Sequence, residues 1–437
     1  MRPLAYVFER FPSFTQTFCV REVEQLRRLG VQPVIFSIRD TRHEEIQHFP
    51  QALFDLVHFL PERDALKAKV RQWKDQHQLP RGAALTLRAW DDRPDKARVY
   101  EAAYIAKILS DIPAARRPQH IHSHFAGVGA RTCWWLRKFT GVTYSFTAHA
   151  NDIFCKPDDE TVPFPSLFEN AGLIITVSDF TAAQLRQRFP NAAARVQRVY
   201  NGLDLQPFKD ARAAATQRAA ARGGILSVGR LIEKKGYPDL IAACALLRDA
   251  GKTFRCRIVG EGPLEQELKA QITALDLHQH VQLTGPLGID EIRRLLAEET
   301  QVFALACATE KDGGMDNLPT VLMEAMAASL PCVSTRLAGV PEMVIDGQTG
   351  FLVGERDPAA LADRIGTLLD DEALCTQFGT AGLAHAERHF TRDATGKSLL
   401  SHFQSLHTLR RFWTPQLRHR ATPASSKSFD LDSFIRG

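Results

Sequence analysis

The sequence predicts an α/β protein made of two doubly wound lobes that face each other across a cleft. Two observations lead there. Short apolar or β-branched runs alternate with helical patterns along the whole chain, and the alternation breaks once, in a polar, alanine-rich stretch at 205–224, before it restarts. Strand followed by helix, repeated, gives a parallel sheet covered on both faces.

The first lobe opens with LAYVF (4–8), the helix-like TQTFCVREVEQLRRLG (15–30) and PVIFSI (33–38). After a basic segment come HIHSHF (120–125), VTYSFTAH (142–149), LIITVS (173–178) and VQRVY (196–200). The second lobe repeats the architecture with GILSVG (224–229), FRCRIVG (254–260), HVQLTG (280–285), QVFALA (301–306), PCVST (331–335) and FLVG (351–354). The expected division is a front lobe over 1–204, a linker over 205–222, a rear lobe over 223–390, and a helix with a Ser/Pro-containing tail over 391–437. In such sheets ligands sit beyond the carboxyl ends of the strands, so the loops there are where chemistry is sought.

Composition narrows the class. With 437 residues, 44% hydrophobic and 24% charged, the chain has ordinary globular content and length for two or three domains. Its eight cysteines show no C-x-x-C spacing and lie mostly in apolar runs, as core residues of a reducing compartment would. The opening MRPLAYVFER is too short for a signal core, and no window nears the roughly 18 apolar residues of a membrane span. A cytoplasmic protein is expected. The net charge of +5 equals the surplus in 61–118 alone, where 13 Lys/Arg face 8 Asp/Glu. Aromatics are not interleaved with those charges, which argues against nucleic acid. PERDALKAKVRQWKDQHQL, basic and carrying Trp73, fits peripheral contact with an anionic membrane, or simply a solvated helix face.

Motifs follow at the strand ends. In SVGRLIEKKGYPDL, Gly229 ends a strand and Arg230 and Lys235 follow; two cations there can hold a diphosphate, Arg as a fork and Lys as a point charge, or can be a solvated turn. IVGEGPLEQEL has Glu265 where a dinucleotide fingerprint needs glycine, which counts against NAD. The turn Gly285-Pro286-Leu287 could border a base with its backbone. In GGMDNLPTVLMEAMAASLPCV, Pro319 suits a first helical turn, so the amides near Asn317 and Leu318 favour an anion. Glu324 falls inside that helix among Val, Leu, Met and Ala. A buried carboxylate needs partners: either a donor from a neighbouring strand or the hydroxyls of a ribose. Asp316 on the preceding loop is either an Asx-type cap or a contact to the group beyond the diphosphate. In the front lobe His149 lies just past a strand end and could donate to a developing charge or a sugar hydroxyl, or be a satisfied loop residue. His120, His122 and His124 share one strand face, without a fourth metal ligand nearby in sequence, so no metal site is assigned. RFPSFTQTF carries hydroxyls at a helix start, including Thr15 beside Gln16, on the cleft side.

Together SVGRLIEKKGYPDL, IVGEGPLEQEL, MDNLPTVLMEAMAASLPCVST, GVPEMVIDGQTGFLV and RVYNGLDLQPF resemble glycosyltransferase family 4, retaining enzymes of the GT-B fold with two Rossmann-like domains. FPSFTQTF, HSHFA and SFTAHANDIF resemble its exopolysaccharide, colanic acid type branch, and the likeness runs from about residue 5 to 390. The resemblance implies a hexosyltransferase with a UDP- or GDP-sugar as co-substrate, no further cofactor and no metal. It implies a saccharide acceptor, lipid-linked and met at the inner face of the cytoplasmic membrane. Arg230 and Lys235 would hold the diphosphate, Glu324 the ribose, and His149 the donor sugar near the reacting centre; Gly229, Leu287, Asn317 and Leu318 would line the nucleotide-sugar site. The first acid of the family's E-x7-E motif is Asp316 here, giving D-x7-E, one methylene shorter. On the acceptor side Thr15-Gln16 replace the commoner Ser-Glu.

Overall fold

The computed structural model describes residues 3–13, 16–44, 49–89, 95–149, 164–215 and 222–413. Seven strands form the front sheet: β1 (Leu4–Arg10), β2 (Val34–Arg39), β3 (Val57–Phe59), β4 (His120–His124), β5 (Thr143–Ala148), β6 (Leu173–Thr176) and β7 (Val196–Arg198). They lie in the order β3-β2-β1-β4-β5-β6-β7, all parallel. Six more form the rear sheet: β8 (Gly224–Val228), β9 (Arg255–Val259), β10 (Val281–Gly285), β11 (Val302–Leu305), β12 (Cys332–Thr335) and β13 (Gly350–Val353). Their order, β10-β9-β8-β11-β12-β13, is also wholly parallel and reverses direction beside its first strand. Such a switch point opens a crevice at the carboxyl ends of β8 and β11. Both sheets are covered by helices, which is why β8, β11 and β12 are buried at every residue and read as continuous apolar runs.

Every strand expected from the sequence is present. β3 is the addition: three residues are too few to show a period of two, and pairing to β2 alone defines it. The stretch expected as a linker is more ordered than its composition suggests. Gln206–Ala214 is a helix with Pro207 in its first turn, and Phe208 is buried in the rear core with Leu295 and Leu322. Phe208 is the one buried side chain of that helix, whose other residues are proline, polar residues or alanine. The helix Arg392–Trp413 recrosses to the front lobe, where Leu399 and Phe403 pack with Val23, Leu26 and Leu173.

The two crossings of the chain touch. The Leu203 N–H donates to Phe390 O at 2.9 Å, the Arg392 N–H to Leu203 O at 3.1 Å, and Thr395 Oγ1 to Tyr200 O at 2.7 Å. A Cβ on Gly202 would stand 2.6 Å from Thr391 O, so this junction needs glycine.

The lobes are also bolted at one strand end. Glu342 of the rear lobe accepts the N–H groups of Asp179 and Phe180 at 2.8 and 2.9 Å, capping the front-lobe helix Asp179–Arg188, and takes the Tyr200 hydroxyl at 3.0 Å.

Among the described residues no helix is long and apolar enough to cross a membrane. The seven described cysteines are buried free thiols. The basic helix Arg63–Asp75 forms as expected and exposes Arg63, Lys69 and Arg71. Trp73, however, packs on Tyr104 at 5.1 Å with Lys69 and Lys107 over its ring, and so belongs to the fold.

Candidate active site

The rear-lobe part of the site is built on the end of β8. Gly229 closes the strand through its N–H to Val259 O at 2.9 Å, and the stem of Lys235 lies across it, so that a Cβ there would sit 3.1 Å from Lys235 Cε. A short 3-10 turn, Glu233–Lys235, ends at Gly236, whose φ of 62° is left-handed and whose missing Cβ would lie 1.7 Å from Ala306 O. Packing that backbone onto the end of β11 carries Lys235 into the crevice beside the loop holding Asp316. There Lys235 Nζ and Asp316 Oδ2 are 2.5 Å apart. Burial pulls Lys235 down, but Asp316 and its neighbours outweigh burial and hold it above its ordinary value, so it stays charged. Arg230 is exposed and, among the described residues, has no ion-pair partner.

The helix after this loop spans Thr320–Ala327, with Pro319 at its N-cap, one position earlier than the first turn expected. Leu322, Met323, Ala325 and Met326 are fully buried, each large side chain contributing roughly 1.5–3 kcal/mol. Glu324 shares the helix but looks out half-buried, and among the described residues its carboxylate has no hydrogen bond or ion pair. Burial pushes it up to about 7, against the pull of Arg21, Arg293 and Lys235.

Asn317 and Leu318 divide differently from the expectation. Leu318 is buried in the rear core. Asn317 faces the other lobe: its Oδ1 accepts from Ser178 Oγ and its Nδ2 donates to Thr181 Oγ1, each at 2.6 Å. Its side chain therefore joins lobes, and only the backbone there is left for a ligand. Leu287 sits half-buried against the same core, on the loop after β10.

In the front lobe His149 follows β5 at the equivalent place. Phe125 and Phe18 close on its ring at 4.5 and 4.8 Å, and His124 stacks at 5.5 Å. His124 Nδ1 lies 3.2 Å from His149 Nε2, and His124 Nε2 lies 3.1 Å from Glu22 Oε1, which also accepts the Tyr6 hydroxyl at 2.6 Å. The remaining strand histidines form a ladder with β5: His120 meets Thr143 and Ser145, and His122 meets Ser145 and Thr147, at 2.7–3.1 Å. Glu22, His122 and His124 bring their ligating atoms within 4.8 Å of one another, yet every one of those ring nitrogens contacts a protein group. Gln16 is the N-cap residue of helix Thr17–Arg28 without a side-chain cap bond; Thr15 lies outside the described residues.

The structure thus gathers Gly229, Arg230, Lys235 and Asp316 in one crevice, with Glu324 on the adjoining helix. The sequence did not single out Arg21 and Arg293, whose charges reach Glu324, or Glu22, which anchors the histidine pair. Helical spacing alone marks these as polar helix positions; Arg21 reaches Glu324 only because the lobes approach, whereas Arg293 and Glu22 meet their neighbours within their own lobes.

Two nucleotide-fold lobes, one presenting cations and a carboxylate without a partner among the described residues at its switch point, form the frame of a GT-B sugar transferase. The family models agree. Residues 15–207 match "Glycosyltransferase Family 4" and residues 212–385 match "Glycosyl transferases group 1". The chain belongs to these glycosyltransferases. It is 29% identical over 431 residues to WcaL of Salmonella typhimurium, named for colanic acid biosynthesis, covering 92% of this chain and 100% of that one. It is 39% identical over 175 residues to the amylovoran biosynthesis glycosyltransferase AmsK of Erwinia amylovora, covering 40% of this chain and 43% of AmsK. Among solved structures, a glycosyltransferase of Rickettsia africae superposes with a TM-score of 0.67 at 15% identity, over 93% of this chain and 98% of that one. HepE of Anabaena in complex with UDP-glucose does so at 0.63 and 19%, over 93% and 100%. At such identities the two structures speak for the fold.

Proposed function

We propose that the protein moves a sugar from a nucleotide-diphosphate sugar to a saccharide acceptor, with retention at the anomeric carbon, in exopolysaccharide or cell-surface polysaccharide synthesis. The observation that carries this reading is Glu324, a carboxylate held half-buried at the crevice with no partner among the described residues. A desolvated acid with open acceptor positions suits a vicinal diol, and the ribose of UDP or GDP supplies one.

The remaining roles follow from charge. Arg230 has no ion-pair partner among the described residues, and Lys235 is shared with Asp316. A diphosphate drawing on Lys235 would release Asp316 to sugar hydroxyls, so donor binding exchanges one internal pair for two ligand contacts. Both cations then stabilise the departing diphosphate, together with the backbone amides before Thr320. That scheme supplies the countercharge from side chains and needs neither a metal ion nor another cofactor. His149 faces the donor sugar from the front lobe. The acceptor is read as lipid-linked and met at the inner membrane face, where the exposed Arg63, Lys69 and Arg71 would lie against anionic headgroups, each contributing about 1 kcal/mol. The names of WcaL and AmsK support the polysaccharide assignment.

The test is incubation with a panel of sugar nucleotides, with and without an acceptor lipid extract. Nucleotide release that depends on the acceptor is the expected result. An isomerised donor, or donor hydrolysis indifferent to acceptor, would replace transfer by epimerisation or hydrolysis. Binding without turnover would make the protein a sugar-nucleotide-binding partner.

A further inference from the structure

We propose that Glu22 is a positioning residue: acting through His124, it fixes which ring nitrogen of His149 carries the hydrogen. Its consequence for catalysis rests on the transferase reading above.

The geometry leaves two arrangements. Glu22 Oε1 accepts from the Tyr6 hydroxyl and lies 3.1 Å from His124 Nε2, so that nitrogen donates to a carboxylate in either case. The difference lies at the contact between His124 Nδ1 and His149 Nε2, 3.2 Å apart. If His124 is neutral, its Nδ1 is an acceptor and His149 must donate from Nε2. If His124 is an imidazolium, its Nδ1 donates, His149 Nε2 must accept, and a neutral His149 carries its hydrogen on Nδ1.

The surroundings select the second arrangement. The titratable groups facing His124 are Tyr6, Cys19, Glu22, His122 and His149, with Arg21 and His120 one shell out. Burial keeps Cys19 a thiol and Tyr6 a phenol, so Glu22 supplies the negative charge against this ring. Burial opposes a charge on His124, but the sulfur of Cys19 beside the ring and the Glu22 carboxylate 3.1 Å from its Nε2 prevail and hold its pKa above the ordinary value. Burial first, and then the charge on His124, hold His149 well below its ordinary value, so it is neutral. His122 is likewise kept neutral by burial and satisfied by Ser145 and Thr147. Phe18 and Phe125 pack on the His149 ring at 4.8 and 4.5 Å and crowd it against His124. The result is a carboxylate, imidazolium and imidazole in series, with the His149 N–H turned away from His124.

Long-range proton–nitrogen correlation spectra of protein labelled with 15N in its histidine rings read the tautomer directly, the His149 signals being those lost in His149→Asn. In the wild type the hydrogen is expected on Nδ1 of His149, with both nitrogens of His124 protonated. In Glu22→Gln it moves to Nε2 of His149. Turnover then falls by about 10-fold or more with donor KM little changed, since a wrong tautomer presents no N–H where one is needed. Because burial opposes the charge on His124, the Glu22→Gln enzyme recovers only at pH well below the free-histidine value of about 6.5; the wild type shows no such acid recovery. Glu22→Asp restores part of the rate at neutral pH. A wild-type His149 carrying its hydrogen on Nε2, or a Glu22→Gln protein with an unchanged His149 tautomer, overturns the proposal. The wild-type spectrum decides even if Glu22→Gln does not fold. None of these spectra needs a substrate, so failure of the transferase reading would leave them standing, and their failure would leave that reading intact.

Discussion

Each sheet carries a polar cluster, the front one running along β4 to its carboxyl end and the rear one lying at the carboxyl ends of its strands, and the clusters are built on opposite terms. In the front lobe His120, His122, His124 and His149 each contact a protein partner, because β4 and β5 run side by side and helix Thr17–Arg28 lies against them. In the rear lobe Glu324 and Arg230 have no such partner among the described residues, and the pair Lys235–Asp316 spans two loops. A cluster that is complete by itself can orient a group but has little capacity left for a ligand. A cluster with unsatisfied desolvated charge is the one that gains most from binding. On the proposed reading the donor belongs to the rear lobe, and the front lobe supplies orientation.

The contrast breaks most sharply at Lys235. Lys235→Ala is expected to lower kcat/KM for the donor by about 10²–10³-fold, as loss of a preorganised countercharge does. Glu324→Ala should cost about 10- to 100-fold, chiefly in donor KM, the magnitude of a hydrogen bond to a charged group. His149→Ala should lower kcat with donor binding kept, read by the melting shift that a saturating sugar nucleotide produces. If His149→Ala abolishes that shift and Lys235→Ala does not, the lobes have been given each other's roles.

Much of this was legible in the sequence, and the parts that were not share a cause. The strands of both sheets and the apolar helix around Glu324 follow from local pattern, because buried parallel strands and an apolar helix leave strong one-dimensional traces, whereas the half-exposed setting of Glu324 itself does not. Phe208 in the supposed linker left a weaker trace, since it is the one buried side chain of its helix and its partners Leu295 and Leu322 lie far away in the chain. Asn317 shows the limit at the site. Its position on the loop suggested a ligand contact, and only the approach of Ser178 and Thr181 from the other lobe reveals what its side chain holds. Glu22 is similar, one polar residue on an amphipathic helix until His124 comes within 3.1 Å.

A smaller effect tests the rear cluster without any substrate. Glu324 keeps its proton up to about pH 7 in the folded protein, whereas the unfolded chain releases it near 4.5. The unfolded state thus binds fewer protons in that window, so stability falls as pH rises through it, and the cost is complete above 7. Glu324→Gln should raise the melting temperature by a few degrees at pH 8, where the relief is at most about 3 kcal/mol, and leave it unchanged at pH 4. An identical gain at both values would mean that burial of charge is not what strains this residue, and the argument for an awaiting diol would lose its basis.

The smallest expected effect concerns the bolt that keeps the two clusters at a fixed distance. Glu342 caps two N–H groups at the start of helix Asp179–Arg188 and receives the Tyr200 hydroxyl. Glu342→Ala leaves those donors to water, at about 1–2 kcal/mol for a lost helix cap. Because helix and carboxylate belong to different lobes, the loss should appear as easier opening and not only as lower stability. Amide exchange should quicken at Asp179 and Phe180, while the Lys235–Asp316 loop stays as protected as before. The histidine cluster lies within one lobe and should keep the His149 tautomer of the wild type. Were that tautomer to change in Glu342→Ala, the front cluster would depend on the rear lobe's position, and the division between a self-sufficient orienting cluster and a ligand-dependent one would have to be given up.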